Sequence, residues 1–269
     1  MITKLNLHLL LGQIARNRSE IKLLNTYKGL PISHPANISS VGGSEIQVHS
    51  NKYQLACLYH QRETYLQGEE LPFILHSQVM SLHLGNEDAI LTDVQVAPTS
   101  IGNRTQVRVE PNEPLIAIIQ FGGSSAEFFA LLADISAEGA AVYFETYMFP
   151  TRLCQPGNEI SMTISLPDNI SSKIKKPPTK PLLENQTVKS FLRSEGLRGQ
   201  DNKVVITTRG KIVSIHPEFQ SKRYRVGMKL YFKDLSRTVI LQYIAQRQSE
   251  IIRDLGVFAD ELYSRKKSG

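Results

Sequence analysis

Short apolar segments bounded by turn-forming residues recur along most of the chain, and this pattern constrains the fold more than any other feature. Ile46 and Val48 alternate with polar neighbours, residues 71–81 alternate after a Gly-Glu-Glu turn, and residues 89–96 follow Gly-Asn-Glu-Asp. Alternation every second residue is typical of strands with one buried face, and short turns between such strands favour hairpins. The stretch 53–59 is apolar and β-prone, so we expect a strand there as well. This half of the chain predicts a small barrel or sandwich.

The second half of the chain repeats the pattern. A turn at Gln155-Pro-Gly-Asn separates two of its apolar segments. Because several short strands in succession favour closure, this half also predicts a β-barrel. We therefore expect a mainly β fold with flanking helices, built from two small β-barrel domains in tandem. The strands predicted in this half span residues 115–121, 127–133, 140–144, 159–166, 204–215 and 224–232.

Two segments carry apolar residues at helical spacing. Between Ile2 and Leu24, leucines and isoleucines recur at three- and four-residue intervals, which predicts an amphipathic helix; Pro31 and Pro35 then interrupt the pattern. Near the other end, an apolar stripe over residues 235–255 predicts a long helix, which we expect to close one end of the second barrel. The same stripe would suit the seam of a homodimer, so the oligomeric state stays open.

Two stretches without apolar periodicity separate these elements. Residues 97–103 are rich in turn formers and poor in core residues, which predicts a linker between two domains. Residues 168–202 carry several lysines and prolines, which predicts a long insertion. Its lysines would either be solvated or contact a partner.

The composition narrows the classes of function. A net charge of +6 over 269 residues suits an anionic ligand or an acidic partner, whereas 7% aromatic residues and the absence of tryptophan argue against a stacking surface for nucleic acid. No apolar stretch is long enough for a transmembrane helix, and the N-terminus lacks a secretory cleavage pattern. We therefore expect a cytoplasmic protein without membrane insertion that does not bind nucleic acid.

The cysteines and histidines give little support to catalysis or metal binding. Cys57 and Cys154 are the only cysteines, and no closely spaced Cys/His cluster occurs. A disulfide framework and a zinc site are therefore not expected. No activated nucleophile and no paired carboxylates stand out either, so no catalytic residue is predicted and an enzyme, such as a phosphate-ester hydrolase, is the least supported class.

Two short motifs carry the functional chemistry. Arg104 and Arg108 lie four residues apart, immediately after the predicted linker. Each arginine presents a charged planar fork that can grip a phosphate, dock on guanine O6 and N7 or stack on the base. Downstream, Asp134, Ser136 and Gly139 form an Asp-x-Ser-x-x-Gly segment. A carboxylate accepts from the guanine N1 and N2 donors, serine adds a small donor and acceptor, and glycine permits a tight turn or a close backbone approach. Together the motifs predict a split binding site for a guanine-containing dianion.

This combination of motifs resembles the PilZ domain, a bacterial receptor module for cyclic di-GMP. Three further segments occur in the order that such proteins show, namely the apolar strand 140–144, the run 224–230 and the terminal segment 242–248. The resemblance implies a PilZ-type six-stranded barrel with a C-terminal helix over residues 101–269. Residues 1–100 resemble the N-terminal barrel of flagellar-brake proteins, with a leading helix.

The resemblance also implies a function. Arg104 and Arg108 would grip phosphate and guanine, Asp134 would read the guanine edge, and Ser136 with Gly139 would shape the floor of the site. The protein would be a receptor for cyclic di-GMP without a cofactor, a metal or enzymatic activity. Ligand binding would change the geometry between the domains and regulate motility, biofilm or another surface behaviour. The output would pass through a protein partner, with flagellar motor or switch components at the basal body as the class that the family suggests.

An alternative stays open at this point. A PilZ-fold interaction scaffold that binds no nucleotide would share the same barrel, although both halves of the motif are present here. Asn103 stands where many relatives carry another arginine. This departure leaves open whether one or two cyclic di-GMP molecules bind.

Overall fold

The computed structural model describes residues 4–97, 106–167, 203–218 and 221–266. Its strands form two closed barrels of six strands each, and a long helix follows the second barrel. The predicted fold class, mainly β with two barrels in tandem and a C-terminal helix, is therefore confirmed. The chain divides into two compact units: Met1–Val107 together with Ser249–Gly269, and Arg108–Gln248.

The first unit contains a barrel, two helices and the end of a third. In chain order its elements are α1 (Lys4–Asn17), β1 (Ile21–Tyr27), β2 (Leu30–Gly42), β3 (Glu45–Ser50), α2 (Lys52–Gln61), β4 (Glu63–Gln67), β5 (Leu75–His83) and β6 (Asp88–Val96). The strand order is β1-β2-β3-β6-β5-β4, and β1 closes the barrel by pairing antiparallel with both β2 and β4. Leu23, Leu66, Leu75 and Leu91 are fully buried in its core.

Helix α1 ends earlier than the apolar spacing predicted. Arg18 adopts a left-handed backbone conformation with φ of 54°, and the Ser19 N–H donates to the Ile14 carbonyl at 3.1 Å. A left-handed residue with this hydrogen bond is a common way to end a helix. The prediction of one helix from residue 2 to 24 is therefore wrong, because strand β1 already begins at Ile21.

The strand predicted over residues 53–59 is also wrong, because this segment is helix α2. The Asn51 side chain accepts from the Gln54 N–H at 2.9 Å and so caps the first turn, and Arg62 in the left-handed conformation follows the last turn. Residues 55–58 are all buried. Burial of four consecutive residues explains the continuous apolar run that resembled a strand.

Strand β2 runs through the two prolines that were expected to interrupt the pattern. Residues 30–35 pair with β1 alone, Ala36 pairs with both β1 and β3, and residues 37–42 pair with β3 alone. Proline lacks an N–H and is tolerated where a strand has only one neighbour. Pro31 and Pro35 both lie in the part that pairs with β1, so they fit within the strand.

The second unit contains the other barrel and most of its helix. Its elements are β7 (Ile116–Phe121), β8 (Glu127–Ser136), β9 (Gly139–Glu145), β10 (Glu159–Pro167), β11 (Lys203–Glu218), β12 (Arg223–Tyr231) and the first half of α3 (Asp234–Lys266). The strand order is β10-β11-β12-β9-β8-β7, closed by the pairing of β10 with β7. All six strands predicted in this half are confirmed. Val142, Met162 and Ile206 are fully buried, and each such side chain stabilises the fold by roughly 1.5–3 kcal/mol.

Helix α3 contributes residues to both compact units. In the second unit it buries Ile240 and Tyr243. In the first unit its later residues pack on β1: the ring centroids of Phe258 and Tyr27 are 6.1 Å apart, and Lys28 Nζ donates to Asp254 at 2.7 Å. The predicted long helix is thus confirmed. The predicted insertion 168–202 and most of the predicted linker 97–103 lie outside the described residues.

Candidate functional site

The Asp-x-Ser-x-x-Gly motif forms the hairpin between β8 and β9. Asp134 and Ser136 lie at the end of β8, and Gly139 begins β9 opposite Ser136. The Ser136 hydroxyl donates to the Gly139 carbonyl at 3.1 Å, and the serine is buried. The hydroxyl is therefore used to hold the hairpin closed.

Gly139 allows a close approach of two strands. A Cβ built at this position would lie 2.4 Å from the carbonyl oxygen of Met228 on β12. This distance is far inside van der Waals contact with backbone atoms, which cannot move aside as a side-chain tip can. Of the two expectations for this glycine, a tight turn or a close backbone approach, the structure shows the close approach.

A β-bulge sets the direction of Asp134. The register of the β8–β9 pair shifts between Leu132 and Asp134, so that Leu132 pairs with Val142 whereas Asp134 pairs with Ala141. Leu132 and Val142 are buried core residues. In a regular strand Asp134, two residues after Leu132, would share its inward face; the extra residue of the bulge turns it to the outer face of the barrel.

A single β-bridge holds the segment with Arg108 beside this aspartate. Val109 and Ile135 exchange two backbone hydrogen bonds of 3.0 Å, and both side chains are fully buried. Because successive residues of an extended segment face opposite sides, Arg108 lies on the outer face. Its Nη1 donates to Asp134 Oδ1 at 3.3 Å. The structure thus brings together one residue from each predicted motif, while Arg104 lies outside the described residues.

Arg225 on β12 is a member of this cluster that the motifs did not predict. Its Nη2 donates to Asp134 Oδ2, so each oxygen of the carboxylate accepts from a different arginine. The strand register accounts for the contact: Asp134 pairs with Ala141, Ala141 pairs with Gly227, and Arg225 precedes Gly227 by two residues on the same face. The signal in the sequence was the alternation of β12, in which Val226 and Met228 are apolar and Arg225 falls on the other face.

A tyrosine and a glutamate extend the cluster along the outer face. Tyr143 on β9 pairs with Arg225. Burial raises the pKa of the Tyr143 phenol, the negative charge of Glu218 raises it further, and Arg225 opposes both effects. The phenol therefore lies within the electrostatic reach of Arg225 and Glu218.

A buried arginine of α3 anchors the segment that carries Arg108. Arg247 is 2% exposed, and its Nε donates to the Glu110 carbonyl at 2.8 Å. Glu110 follows the bridge residue Val109, so this backbone is held from β8 on one side and from the helix on the other. Sequence reasoning did not assign a role to Arg247, because the helical spacing identifies only the apolar residues around it.

The arrangement suits an anion that also carries hydrogen-bond donors. The Asp134 side chain is 7% exposed, whereas Arg108 and Arg225 are 32% and 28% exposed and present their remaining donors to the surface. A carboxylate has about four acceptor positions, of which the arginines use two. The free positions can accept from the N1 and N2 donors of a guanine, and the guanidinium groups can bind phosphate oxygens.

Neither a metal cluster nor a membrane span accompanies this site in the part of the chain that the structure describes. No group of three or more His, Cys, Asp or Glu side chains there is placed to hold a metal ion. Among the same residues, no helix combines the length and the apolarity needed to cross a membrane.

Comparisons with known proteins return distant structural neighbours. No family model and no curated protein matches the chain. The Bacillus subtilis inhibitor of motility (MotI/DgrA) is 16% identical, with 87% of this chain and 97% of that chain covered and a TM-score of 0.39. Escherichia coli YcgR in complex with c-di-GMP is 13% identical, with 99% and 94% covered and a TM-score of 0.33. The PilZ domain of YcgR with c-di-GMP is 12% identical, with 56% and 96% covered and a TM-score of 0.36.

The two YcgR structures contain c-di-GMP, and one of them is a PilZ domain. Because the identities and TM-scores are low, the function is inferred from the residues of the chain itself.

Proposed function

We propose that this chain is a receptor for cyclic di-GMP without enzymatic activity, and that the ligand binds on the outer face of the second barrel. The observation that carries the proposal is the carboxylate of Asp134, held between the guanidinium groups of Arg108 and Arg225. A buried acceptor flanked by partly exposed cations matches a ligand that combines guanine donors with phosphate charges. Guanine nucleotides are the common ligands that present both groups together.

In this proposal the residues of the site have different roles in binding the ligand. Arg104 and Arg108 contact phosphate and guanine, and Asp134 accepts from the guanine edge. Ser136 and Gly139 form the floor: the Ser136–Gly139 hydrogen bond closes the hairpin, and the absence of a side chain at Gly139 lets β9 and β12 approach. Ser136 thus acts through the shape of the hairpin.

The proposed output is a change in geometry between two domains, residues 1–100 and 101–269. Arg104 follows the predicted linker directly, and the backbone after Arg108 is fixed at Val109 and Glu110. Binding of the ligand to the arginines would therefore displace the backbone at the junction between the two domains. In the cytoplasm this change would regulate motility, biofilm or another surface behaviour through a protein partner, with flagellar motor or switch components as candidates.

A second function, that of an interaction scaffold without ligand, is favoured by one observation. Both oxygens of Asp134 and the hydroxyl of Ser136 already have partners within the protein. If these hydrogen bonds neither break nor become bifurcated to accept a ligand, the cluster has only a structural role. A binding experiment separates the two functions.

Substitution of Arg108 tests the receptor function. A charge-assisted hydrogen bond contributes about 1.5–3 kcal/mol, so Arg108→Ala should weaken cyclic di-GMP binding by about one to two orders of magnitude in calorimetry. The circular dichroism spectrum should be unchanged. Arg223→Ala is the matched control, because Arg223 lies on the same barrel and pairs with Glu145 at 2.7 Å, away from Asp134. Equal affinity of the Arg108→Ala variant and the unmodified chain for cyclic di-GMP would contradict the proposed role of Arg108.

A further inference from the structure

Arg225 differs from the other paired arginine of its strand in how it is neutralised. Arg223 has a carboxylate partner, Glu145, at 2.7 Å. Arg225 shares its partner Asp134 with Arg108. One carboxylate thus faces two guanidinium groups, and a guanidinium has five N–H donors. One Nη atom of Arg225 donates to Asp134, and the guanidinium also interacts with the Tyr143 phenol.

The surface between Arg225 and Asp134 is bordered by Tyr143, which pairs with Arg225, and by two small residues. The small residues are Ala141, which pairs with Asp134, and Gly227, which pairs with Ala141. A Cβ at Gly227 would lie 2.6 Å from Ser214 Oγ on the neighbouring strand. The small residues allow the guanidinium to reach across the face to Asp134 while it stays 28% exposed.

The order of groups on guanine assigns a ligand atom to this guanidinium. A carboxylate that accepts from guanine N1–H and N2–H lies beside O6, because O6 neighbours N1 on the same edge of the base. Each oxygen of Asp134 accepts from one arginine, and the arginine on the oxygen that also accepts from N1–H is next to O6. Arginine is the usual partner of O6.

We infer that Arg225 is a specificity-determining residue that donates to guanine O6 while Asp134 accepts from N1 and N2 of the same base. This inference rests on the proposed function. An adenine in this position would present an amino group to the guanidinium in place of an acceptor, so Arg225 and Asp134 together select guanine. Arg108 is then left to contact the phosphate.

The test compares two arginines of one strand and ligands that differ from cyclic di-GMP at N2 or at O6. Cyclic di-IMP keeps O6 and N1–H but lacks the 2-amino group, so its affinity relative to that of cyclic di-GMP reports the reading of N2 by Asp134 alone. Arg225→Ala should weaken both ligands by about tenfold to a hundredfold and leave their affinity ratio unchanged. It should also reduce the preference for cyclic di-GMP over cyclic di-AMP, which lacks O6. Arg223→Ala should change either affinity by less than about twofold. Arg225→Gln, whose amide can still donate to Asp134, should also weaken the binding of both ligands. This variant covers the case in which the alanine variant is unstable.

The outcomes separate this inference from the function on which it rests. Unchanged or tighter binding by the Arg225 variants would overturn it, and so would an undiminished preference of the Arg225→Ala variant for cyclic di-GMP over cyclic di-AMP. A collapse of the affinity ratio between cyclic di-GMP and cyclic di-IMP would also overturn it, because Arg225 would then act only by positioning Asp134. Absence of cyclic di-GMP binding by the unmodified chain would instead overturn the proposed function, and the inference with it.

Discussion

Asp134 illustrates how much of the candidate site depends on one side chain and its direction. The motif predicted a carboxylate that reads guanine, but regular alternation would have placed this residue in the core beside Leu132. The bulge that turns it outward has no residue signature in the sequence. Arg225 was missed for a related reason: the residue is separated from Asp134 by 91 positions, and only the pairing of three strands brings them together. The types of residue in the site were thus predictable, whereas their partners depended on the register.

The two cysteines give a prediction about pH at the same scale. Burial raises the pKa of both the Cys57 and the Cys154 thiol from 9.0 to about 12. The thiols are therefore neutral in the folded protein up to about pH 12, whereas unfolded thiols lose their protons above about pH 9. Because the unfolded state then binds fewer protons, the stability present below pH 9 should fall as the pH rises towards 12, by roughly 1 kcal/mol per pH unit for each thiol.

Urea unfolding at about pH 8 and about pH 10.5 checks this prediction. We expect a lower midpoint at the higher pH, and negligible reaction of either thiol with a disulfide reagent in the folded chain at about pH 8. Rapid labelling of the folded chain would show that the thiols are accessible and would contradict the account.

Strands and helices differ in how well the sequence predicted them. In the second barrel, apolar residues alternate cleanly between turns, and all six strands were found. In the first unit, α2 was taken for a strand because its consecutive buried residues hide the helical period, and its cap at Asn51 lies outside the apolar run. Strands β1, β2 and β4 were missed: the leucines of β1 continue the spacing of α1, β2 contains Pro31 and Pro35, and β4 spans only five residues. Tertiary pairing decided these segments against their local pattern.

The close approach of β9 and β12 yields a prediction for these elements. Gly139→Ala should destabilise the fold by about 1–3 kcal/mol, because the new methyl group would overlap the Met228 carbonyl oxygen and push the strands apart. Gly256→Ala is the matched control: the residue lies within α3, and beyond the backbone of its own helix a Cβ added there would meet no atom within 4 Å. Alanine there should leave stability unchanged or raise it by up to about 1 kcal/mol. Chemical unfolding of both variants measures the difference; equal stability of Gly139→Ala and the unmodified chain would show that the strands tolerate the methyl group.

At the scale of the whole molecule, the division into compact units could not be predicted from chain order alone. Residues 249–269 belong with the first unit although they end the chain. Phe258 and Asp254 there contact Tyr27 and Lys28, more than two hundred residues earlier in the chain. Apolar spacing indicates that a long helix exists, but it does not indicate which neighbour buries each end of it.

A calorimetric titration of the full chain with cyclic di-GMP tests the central claim most directly, with cyclic di-AMP titrated in parallel at low and high salt. The account predicts saturable binding of cyclic di-GMP that weakens as salt increases, because arginines contact the phosphates. It predicts much weaker binding of cyclic di-AMP, because Asp134 would lack the N1 and N2 donors of guanine. Absence of heat from cyclic di-GMP, or equal affinity for the two ligands, would contradict the account.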